Sequence, residues 1–521
     1  MMKSALLTFV FSCLGFLLNA QTWSGEVAQI FYNKCAKCHH DGGISSTSLT
    51  TFAEVSPMVS AIANYVAADE MPPWPPSNAY QQYVHDRSLS TVDKTTILTW
   101  IGSGAPEGNS ANTPPVPIFT VGAILGAGDL TVKMPKYMSK ASAQGDDYAC
   151  FSVPSGLLVD RKIKSVEIIP GNIGIVHHAL IFLDPAAVEV TDSSAGNCSA
   201  PSNASTKLIT GYTPGATPMT LPCAAPLKLG MTMTAGSNVY FNMHYPNGSY
   251  GEFDSTQVIF HFYPENETGV REVFADPILE NWSFNLPPNQ ITTVTDVYPA
   301  LQNDISILSV FPHQHLLGKS IKAFAILPGT LDTLKFADLP KWDFHWQDFY
   351  FFKNIQYAPV GTIIKGTGKY DNTVNNPNNP NNPPIAVGPG LNTSDEMFLV
   401  YFHYMLHQAG DEDYDMESLM ATSLKEMSAQ EKGLISIVPN PSSSDTKISF
   451  DGKMGDNLTV YIYDTQGNVV NKIVSNSTVS SDRVELNWNG TNDIGAPVRK
   501  GVYFVSINLN GKFMTERIIR F

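Results

Sequence analysis

The sequence predicts a multidomain protein with a small α-helical domain first, two all-β sandwiches in the middle and an Ig-like β-sandwich at the C-terminus. The chain has 521 residues, which is long for one core and typical of about three or four domains. Short alternating segments lie between many Gly and Pro turns, as in β-sandwiches. A Pro-rich linker at Asn109–Pro117 and a change of pattern from Ile437 mark two boundaries. The predicted ranges are 21–108, 118–275, 276–430 and 437–521.

The N-terminus predicts export. Met1 and Lys3 precede an apolar stretch from Ala5 to Leu18, and Ala20 offers a small residue for cleavage. The stretch is too short to span a bilayer comfortably, so residues 1–20 are interpreted as a signal peptide. A lipoprotein signal at Cys13 fits poorly because apolar residues follow it. No integral membrane segment is expected after cleavage, and a net charge of −15 argues against nucleic acid and anionic membranes as partners.

The helical domain carries a C-x-x-C-H motif formed by Cys35, Cys38 and His39. This is the attachment signal of a c-type haem, in which two thioethers fix the ring and the histidine binds the iron. A zinc knuckle or redox dithiol is the alternative, and a zinc knuckle would need a second cysteine pair nearby. The motif therefore predicts one covalently bound haem c.

The second axial ligand is predicted to be Met71, in the rigid sequence Glu-Met-Pro-Pro-Trp-Pro-Pro. Histidine–methionine ligation raises the reduction potential and suits electron transfer. Met58 and His85 are the competing ligands. Residues 21–108 resemble small cytochrome domains with a Met-Pro-Pro-Trp loop, and their last helix is expected at Thr91–Gly102.

The middle of the chain contains a His-x-His pair, His313 and His315, next to a predicted strand at Ile305–Val310. Residues i and i+2 of a strand point to the same face, so both imidazoles can reach one ion. A purely structural role for the pair is about as probable from spacing alone. The pair is the strongest local sign of a metal site.

Four other residues complete two potential three-ligand sets. His177 and His178 are adjacent and need a strand end or a bulge to share a metal. His244 in a strand and Met397 beside apolar residues are each, taken alone, more typical of packing. Imidazoles together with a thioether suit copper, and a thioether favours Cu(I).

The order and local sequence of these residues resemble the copper type II, ascorbate-dependent monooxygenases, a family that includes peptidylglycine α-hydroxylating and dopamine β-monooxygenases. The resemblance covers about residues 118–430 and rests on four motifs in the family's order. They are Val176-His177-His178-Ala179-Leu180-Ile181-Phe182, Met243-His244-Tyr245, His313-Gln314-His315-Leu316-Leu317-Gly318-Lys319, and Ser394-Asp395-Glu396-Met397 followed by Tyr401.

The resemblance implies two jelly-roll-like copper domains side by side and two copper ions. His177, His178 and His244 would hold an electron-storing copper. His313, His315 and Met397 would hold the copper that meets O2, with Tyr401 on the pocket wall; we place these four among the catalytic residues. The family's reductant is ascorbate.

One departure from the family concerns the substrate. In the amidating enzyme an arginine two residues before the His-x-His binds the peptide's carboxylate, and Phe311 stands there in this chain. Leu399 and Tyr401 follow Met397 closely, so this wall of the substrate pocket is expected to be largely apolar with one phenol group. These residues favour an apolar or aromatic small molecule over an anionic one, without identifying it.

The sequence thus predicts an exported copper monooxygenase that hydroxylates a C–H bond of a small organic substrate with O2. Its electrons would come from the haem, an ascorbate-like donor or a redox protein. A non-enzymatic haem and copper electron-transfer protein is the main alternative, and an adhesin or glycan-binding protein without active metals is another.

Three further features bear on export and folding. Cys150, Cys198 and Cys223 predict one disulfide in an oxidising compartment, and the resemblance makes Cys150 one partner. The loop at Asn375–Pro384 cannot be an interior strand, and it either borders the site or is a surface insertion. Residues 437–521, with a hairpin signal at Asn510-Gly511, resemble the sorting domain of the type IX secretion system, whose machinery would be a partner; an ordinary Ig-like binding module is the alternative.

Overall fold

The computed structural model describes residues 21–521 apart from 42, 44, 46, 118–122, 127, 143–144, 195–197, 199–200, 391–392, 433–434, 465–468 and 511. The predicted signal peptide, residues 1–20 with Cys13, lies outside the described residues. By its internal contacts the chain divides into two units. The first comprises residues 1–74 and 87–119, and the second comprises residues 75–86 and 120–521.

The first unit is helical. A short π-helical turn at Trp23–Val27 leads into the first helix, and two single 3-10 turns occur at Ser56–Met58 and Ser110–Asn112. Its α-helices are α1 (Ala28–Lys34), α2 (Phe52–Val55), α3 (Val59–Ala67) and α4 (Thr91–Gly102).

Aromatic packing holds this helical unit together. The buried rings of Trp23, Phe31 and Trp100 lie with centroids 5.2 to 6.3 Å apart. Helix α4 has the predicted bounds, and the Ser90 side chain caps it by accepting a hydrogen bond from Asp93 N. A capping box of Thr51 and Glu54 begins α2 in the same way.

The second unit begins with two pairs of sheets. In the first pair, one sheet has the order β1-β12-β4-β9-β13, with β7 beside β4 and β8 beside β9, and the other has the order β3-β10-β5-β6. Strands β2 and β11 form a separate ribbon. The strands are β1 (Leu130–Lys133), β2 (Tyr137–Met138), β3 (Asp147–Pro154), β4 (Arg161–Ile169), β5 (His178–Asp184), β6 (Lys207–Tyr212), β7 (Met219–Thr220), β8 (Cys223–Ala224), β9 (Leu227–Met233), β10 (Asn238–Tyr245), β11 (Phe253–Asp254), β12 (Gln257–Phe262) and β13 (Arg271–Glu272).

The second pair has the orders β14-β21-β16-β19 and β15-β20-β17-β18. Strand β14 already contains Asp276 and Pro277, where the sequence predicts the passage between domains. The described residues between β20 and β21 add no strand, which agrees with the Asn/Pro composition there. The strands are β14 (Phe274–Glu280), β15 (Gln290–Val297), β16 (Ile305–His313), β17 (Gly318–Ile326), β18 (Thr333–Leu339), β19 (Tyr350–Ala358), β20 (Ile363–Asn372) and β21 (Leu399–Leu406).

The two sandwiches share one apolar core. Buried residues of the second sandwich, such as Leu308, Phe311 and Met405, belong to the same cluster as Phe241 of the first. An ion pair also joins them, in which Arg271 Nη1 lies 2.5 Å from Asp411 Oδ1. Large continuous apolar contact of this kind fixes the relative position of packed domains.

Residues 75–86 form a strap along the second sandwich. Tyr83 pairs with Phe352 and donates its hydroxyl to Phe336 O at 2.8 Å. Val84 N donates to Phe351 O at 2.8 Å. His85, one competitor for the haem iron, is exposed and belongs to this strap.

Helix α5 (Met416–Lys432) precedes the C-terminal β domain, which has its own apolar core around Trp488 and Val505. Its two sheets have the orders β22-β23-β26 and β25-β24-β27-β28. The predicted hairpin is present, since Leu509 pairs with Lys512 across residues 510–511. The β-rich multidomain fold with a C-terminal β domain is therefore confirmed. These strands are β22 (Ile435–Val438), β23 (Thr446–Asp451), β24 (Asn457–Tyr463), β25 (Val469–Thr478), β26 (Arg483–Trp488), β27 (Gly501–Leu509) and β28 (Lys512–Arg520).

Among the described residues there is one disulfide, as predicted, and it joins Cys150 to Cys198. Cys223 is half-buried and is not part of a disulfide. The crosslink attaches Cys198 to strand β3, where Cys198 N also donates to Tyr148 O at 3.1 Å.

Removing this crosslink is expected to destabilise the protein. The two cysteines are 48 residues apart, and loop-closure entropy for that length corresponds to about 4 kcal/mol. The double substitution Cys150→Ala/Cys198→Ala should lower the free energy of unfolding by that order in a urea titration. Cys223→Ala is the control and should change it by about 1 kcal/mol or less; equal effects would contradict a structural role for the crosslink.

Candidate metal centres

Three histidines meet at one end of the sheet β3-β10-β5-β6. His244 in β10 is the cross-strand partner of both His178 in β5 and Tyr148 in β3. His177 precedes β5, and its amide donates to His244 O at 3.0 Å. The strand therefore begins between the adjacent histidines, which turns both imidazoles toward His244. One potential ligand atom from each of the three lies within 4.8 Å of the others.

Hydrogen bonds define which nitrogens face the centre of this cluster. His244 Nε2 donates to Asp146 Oδ2 at 2.8 Å, which leaves the Nδ1 lone pair directed at His178. The two Nδ1 atoms are 3.1 Å apart. Metal–imidazole bonds of about 2.0–2.1 Å place two donor nitrogens at such a distance. His177 Nδ1 is buried without a hydrogen-bond partner among the described residues, so the donor set fits a metal ion.

The surroundings keep these imidazoles neutral, which is the form that binds metal. Burial lowers the pKa of His178 well below its usual value, with neighbouring histidines adding to the effect. Burial, followed by His244 and His345, lowers the pKa of His177 to about 4. Burial also lowers the pKa of His244, although Asp146 opposes it. Tyr148 stacks on the His244 ring at 4.4 Å and fixes its plane.

The second cluster lies at the end of β16. The strand ends at His313, and His315 lies beyond it in an irregular turn. The prediction that regular strand alternation presents both side chains was therefore wrong in detail. The turn still brings the two rings together, with centroids 5.0 Å apart and planes at 88°.

Each ring of this pair is also oriented through Nδ1. His313 Nδ1 donates to Gln347 Oε1 at 2.6 Å, and His315 Nδ1 donates to Asp395 O at 3.1 Å. Each Nε2 then carries the lone pair. Such outer hydrogen bonds are typical of metal-binding histidines. In the first cluster the roles are reversed for His244, whose Nε2 makes the outer hydrogen bond and whose Nδ1 faces the centre.

The carboxylate of Glu396 ties the His-x-His turn to the methionine segment. Its oxygens accept from His315 N, Leu317 N and Met397 N at 2.9, 2.6 and 3.1 Å. Burial raises the pKa of Glu396 to about 8, and these backbone donors act in the opposite direction. Met397 is itself buried, and its carbonyl accepts from Tyr370 Oη at 2.7 Å.

Replacing Glu396 with alanine should loosen the second site alone. The backbone donors of His315 and Met397 would lose their shared acceptor, and outer-shell losses of this kind cost about 10–100-fold in metal affinity. Copper titration of Glu396→Ala is expected to show one weakened site and one unchanged site. Unchanged affinity at both would exclude this role for the carboxylate.

Phe311 and Tyr401 are cross-strand neighbours in β16 and β21, and His313 pairs with Leu399. Phe311 is buried against Phe349, with ring centroids 4.8 Å apart. Burial, then Glu280 and Asp276, raises the pKa of Tyr401 to about 12. The position of the family's arginine is thus filled by a core aromatic residue.

One functional segment escaped the sequence analysis. Residues 342–347 run Trp-Asp-Phe-His-Trp-Gln and contact both histidine clusters. His345 lies 5.2 Å from His177 between ring centroids, and Gln347 holds His313. Its concentration of aromatic and polar residues is the sequence feature that could have indicated a place near the site.

In the helical unit the cysteine pair and His39 lie at the end of α1. His39 Nδ1 donates to Thr47 O at 3.0 Å, which leaves Nε2 available for iron. Burial, followed by Cys38, raises the pKa of Cys35 to about 12, whereas a redox dithiol needs a lowered thiol pKa. The residues fit a covalently attached haem better than a redox dithiol.

Met71 lies in the irregular segment after α3 and is 41% exposed. The competitor Met58 ends a 3-10 turn and is half-buried. Assignment of Met71 as the second haem ligand stays a prediction.

The C-terminal domain is the part of the chain with a recognised family. Residues 436–520 match the secretion system C-terminal sorting domain. No curated protein matches the chain. No helix among the described residues is long and apolar enough to cross a membrane.

Two solved structures from Porphyromonas gingivalis show partial similarity. PorZ, described as an essential bacterial surface component of the type-IX secretion system, is 20% identical over 23% of this chain and 15% of its own, with a TM-score of 0.14. Dimeric latent PorU is 9% identical over 69% of this chain and 32% of its own, with a TM-score of 0.12. The chain spans less than a third of either protein, and similarity this low carries no argument about function.

The sorting domain decides the destination of the protein. A chain that carries this domain is exported to the cell surface or the extracellular space. The disulfide between Cys150 and Cys198 fits such a destination, because disulfides persist in oxidising compartments.

Proposed function

We propose that this protein is an exported copper-dependent monooxygenase that hydroxylates a C–H bond of a small organic molecule. The observation that carries the proposal is the pair of histidine clusters in adjoining sandwiches, each oriented by outer hydrogen bonds. Copper bound there supplies single electrons and O2 activation. The overall reaction consumes R–H, O2, two electrons and two protons, and it yields R–OH and water.

The first cluster would act as an electron store. His177, His178 and His244 offer three neutral imidazoles, and Asp146 and Tyr148 hold His244 in place. Rigid ligands reduce the rearrangement that accompanies a change of charge. An all-imidazole donor set is compatible with either copper oxidation state.

The second cluster would be the reaction site. His313 and His315 present Nε2, and Met397 supplies a thioether that favours Cu(I). Glu396 holds the histidine turn and the methionine segment in one position. Leu399 and Tyr401 would form the apolar side on which the substrate lies.

Electrons would enter from the haem, from an ascorbate-like molecule or from a redox protein. Cys35, Cys38 and His39 would hold the haem, and a tethered donor raises its effective concentration. A haem with His39 and Met71 ligands would have the potential suited to this supply. The haem would pass one electron at a time, which matches the capacity of each copper.

Glycine-extended peptides are expected to be poor substrates. Recognition of a carboxylate favours an arginine fork, and Phe311 is buried at the position where the amidating enzyme has one. Oxygen uptake with such a peptide should stay near the substrate-free rate, whereas an apolar aromatic compound of similar size should exceed it. Efficient peptide amidation would show that another cation binds the carboxylate.

The proposal is tested with copper-loaded, reduced protein and a panel of apolar and aromatic small molecules. Substrate-dependent oxygen consumption and incorporation of one atom from labelled O2 into the product are expected. If two coppers and a haem bind but no compound stimulates oxygen uptake, the electron-transfer alternative is favoured. Absence of bound metal would favour an adhesin or glycan-binding role.

A further inference from the structure

Residues Trp342–Gln347, here called the bridge segment, contact ligands of both clusters. Trp342 Nε1 donates to His315 O at 3.1 Å, and Gln347 Oε1 accepts from His313 Nδ1. The bridge segment also contacts the first cluster, where the His345 ring lies beside that of His177. Six consecutive residues thus connect two sites on different sandwiches.

Phe344 is the central residue of the segment. Its ring centroid is 6.2 Å from that of His178 and 6.3 Å from that of His244 in the first cluster. The same centroid is 5.9 Å from that of His315 in the second. The side chain is 6% exposed, so a buried apolar ring contacts imidazoles of both clusters.

The bridge segment is held firmly by its own hydrogen bonds. Trp342 N donates to Lys319 O at 2.9 Å, and Gln347 Nε2 donates to Phe344 O at 2.8 Å. A Cβ on Gly318 would lie 2.6 Å from Trp342 Cδ1, so this position requires glycine for the tryptophan to pack. A segment restrained at both ends can keep its central side chain in one place.

We propose that the bridge segment fixes the separation of the two metal sites and that Phe344 provides a dry contact between them. This inference rests on the proposed function. An electron lost by the first site would reach the second through packed side chains, so the first is oxidised and the second reduced by one electron. No proton moves along this route, and the donor that re-reduces the first site is the haem or an ascorbate-like reductant.

The geometry limits how far apart the clusters can be. The Phe344 ring centroid is 6.2 Å from that of His178 and 5.9 Å from that of His315. The distance between the two histidine centroids therefore cannot exceed the sum of these two distances. Two Cu(II) ions bound at these rings would lie within the range over which pulsed electron paramagnetic resonance measures dipolar coupling. Phe344 acts on the ligands rather than on substrate, which makes it a positioning residue.

The test is electron paramagnetic resonance of the full-length, copper-loaded and oxidised protein. The dipolar frequency of a Cu(II) pair falls with the cube of the separation, so the pulsed measurement gives the distance between the two coppers. Wild type should show one narrow distance distribution, and Phe344→Ala should broaden or lengthen it while still binding two coppers. Phe351→Ala is the control, because Phe351 is buried to a similar extent, 7% against 6%, and stacks near His403 rather than a ligand.

A second variant tests the bridge segment independently, in case Phe344→Ala does not fold. Trp342→Phe removes the hydrogen bond to His315 O but keeps an aromatic ring, and it should also broaden the distance distribution. Wild type that binds two coppers without a defined separation, or an unchanged distance distribution in both variants, would overturn the bridge and leave the proposed function standing. Fewer than two coppers in wild type would overturn the proposed function and the bridge with it.

Discussion

Changing Met397 to isoleucine is expected to abolish hydroxylation while copper stays bound at the first site. Met397 would supply the thioether of the second cluster, and isoleucine fills a similar volume without a donor atom. His177, His178 and His244 lie in the other sandwich, at the start of β5 and in β10, and this substitution leaves their surroundings unchanged. One site should therefore lose its soft ligand and the other should be unaffected.

Copper content and product formation are measured together for this variant. Met405→Ile is the matched control, because Met405 is also a buried methionine and lies in strand β21 opposite Ser306, away from the candidate ligands. Its product formation should remain near that of wild type. Loss of both coppers from Met397→Ile would indicate a single shared site and would contradict the two-site arrangement.

Deleting residues 437–521 is expected to leave the protein in the periplasm with its catalytic activity intact. The deleted region coincides with the matched sorting domain and has its own apolar core around Trp488, Val505 and Ile518. The candidate ligands, and the partners Asp146, Gln347 and Glu396 that orient them, all precede residue 437. The deletion should therefore change delivery to the cell surface without changing catalytic activity.

Cell fractionation followed by immunoblotting measures delivery, and oxygen uptake with purified protein measures chemistry. Comparing total protein between strains separates a sorting defect from degradation. A glycan-binding module would instead change substrate affinity without changing location. Normal surface delivery of the shortened chain would reject the sorting role.

The candidate ligands can be recognised from the sequence because the motifs that suggest them are local. A His-His pair, a His-x-His and a C-x-x-C-H motif are visible within a few residues. The partners that orient the ligands come from distant positions, and only the folded sheets bring them together. Asp146 reaches His244 across 98 residues, and Gln347 reaches His313 across 34. No spacing rule in the sequence links these pairs.

The positions of the strands were predicted better than the residues at which they end. Alternating segments such as Val460–Tyr463 form strands as expected, because side-chain alternation follows directly from strand geometry. The exact residue at which β16 stops depends on tertiary contacts of the next turn, including the acceptance of three backbone donors by Glu396. A carboxylate 81 residues after His315 contributes to this strand ending, and local sequence patterns do not encode so distant a contact.

The crosslinked strand β3 also bears on when the first site is completed. Tyr148 packs on His244, and Cys198 N donates to Tyr148 O beside the bond from Cys198 to Cys150. Disulfides form and persist mainly where the surroundings are oxidising. The crosslink that braces Tyr148 beside His244 is therefore expected to close after translocation out of the cytoplasm, so the first cluster gains this support outside the compartment in which the chain is made.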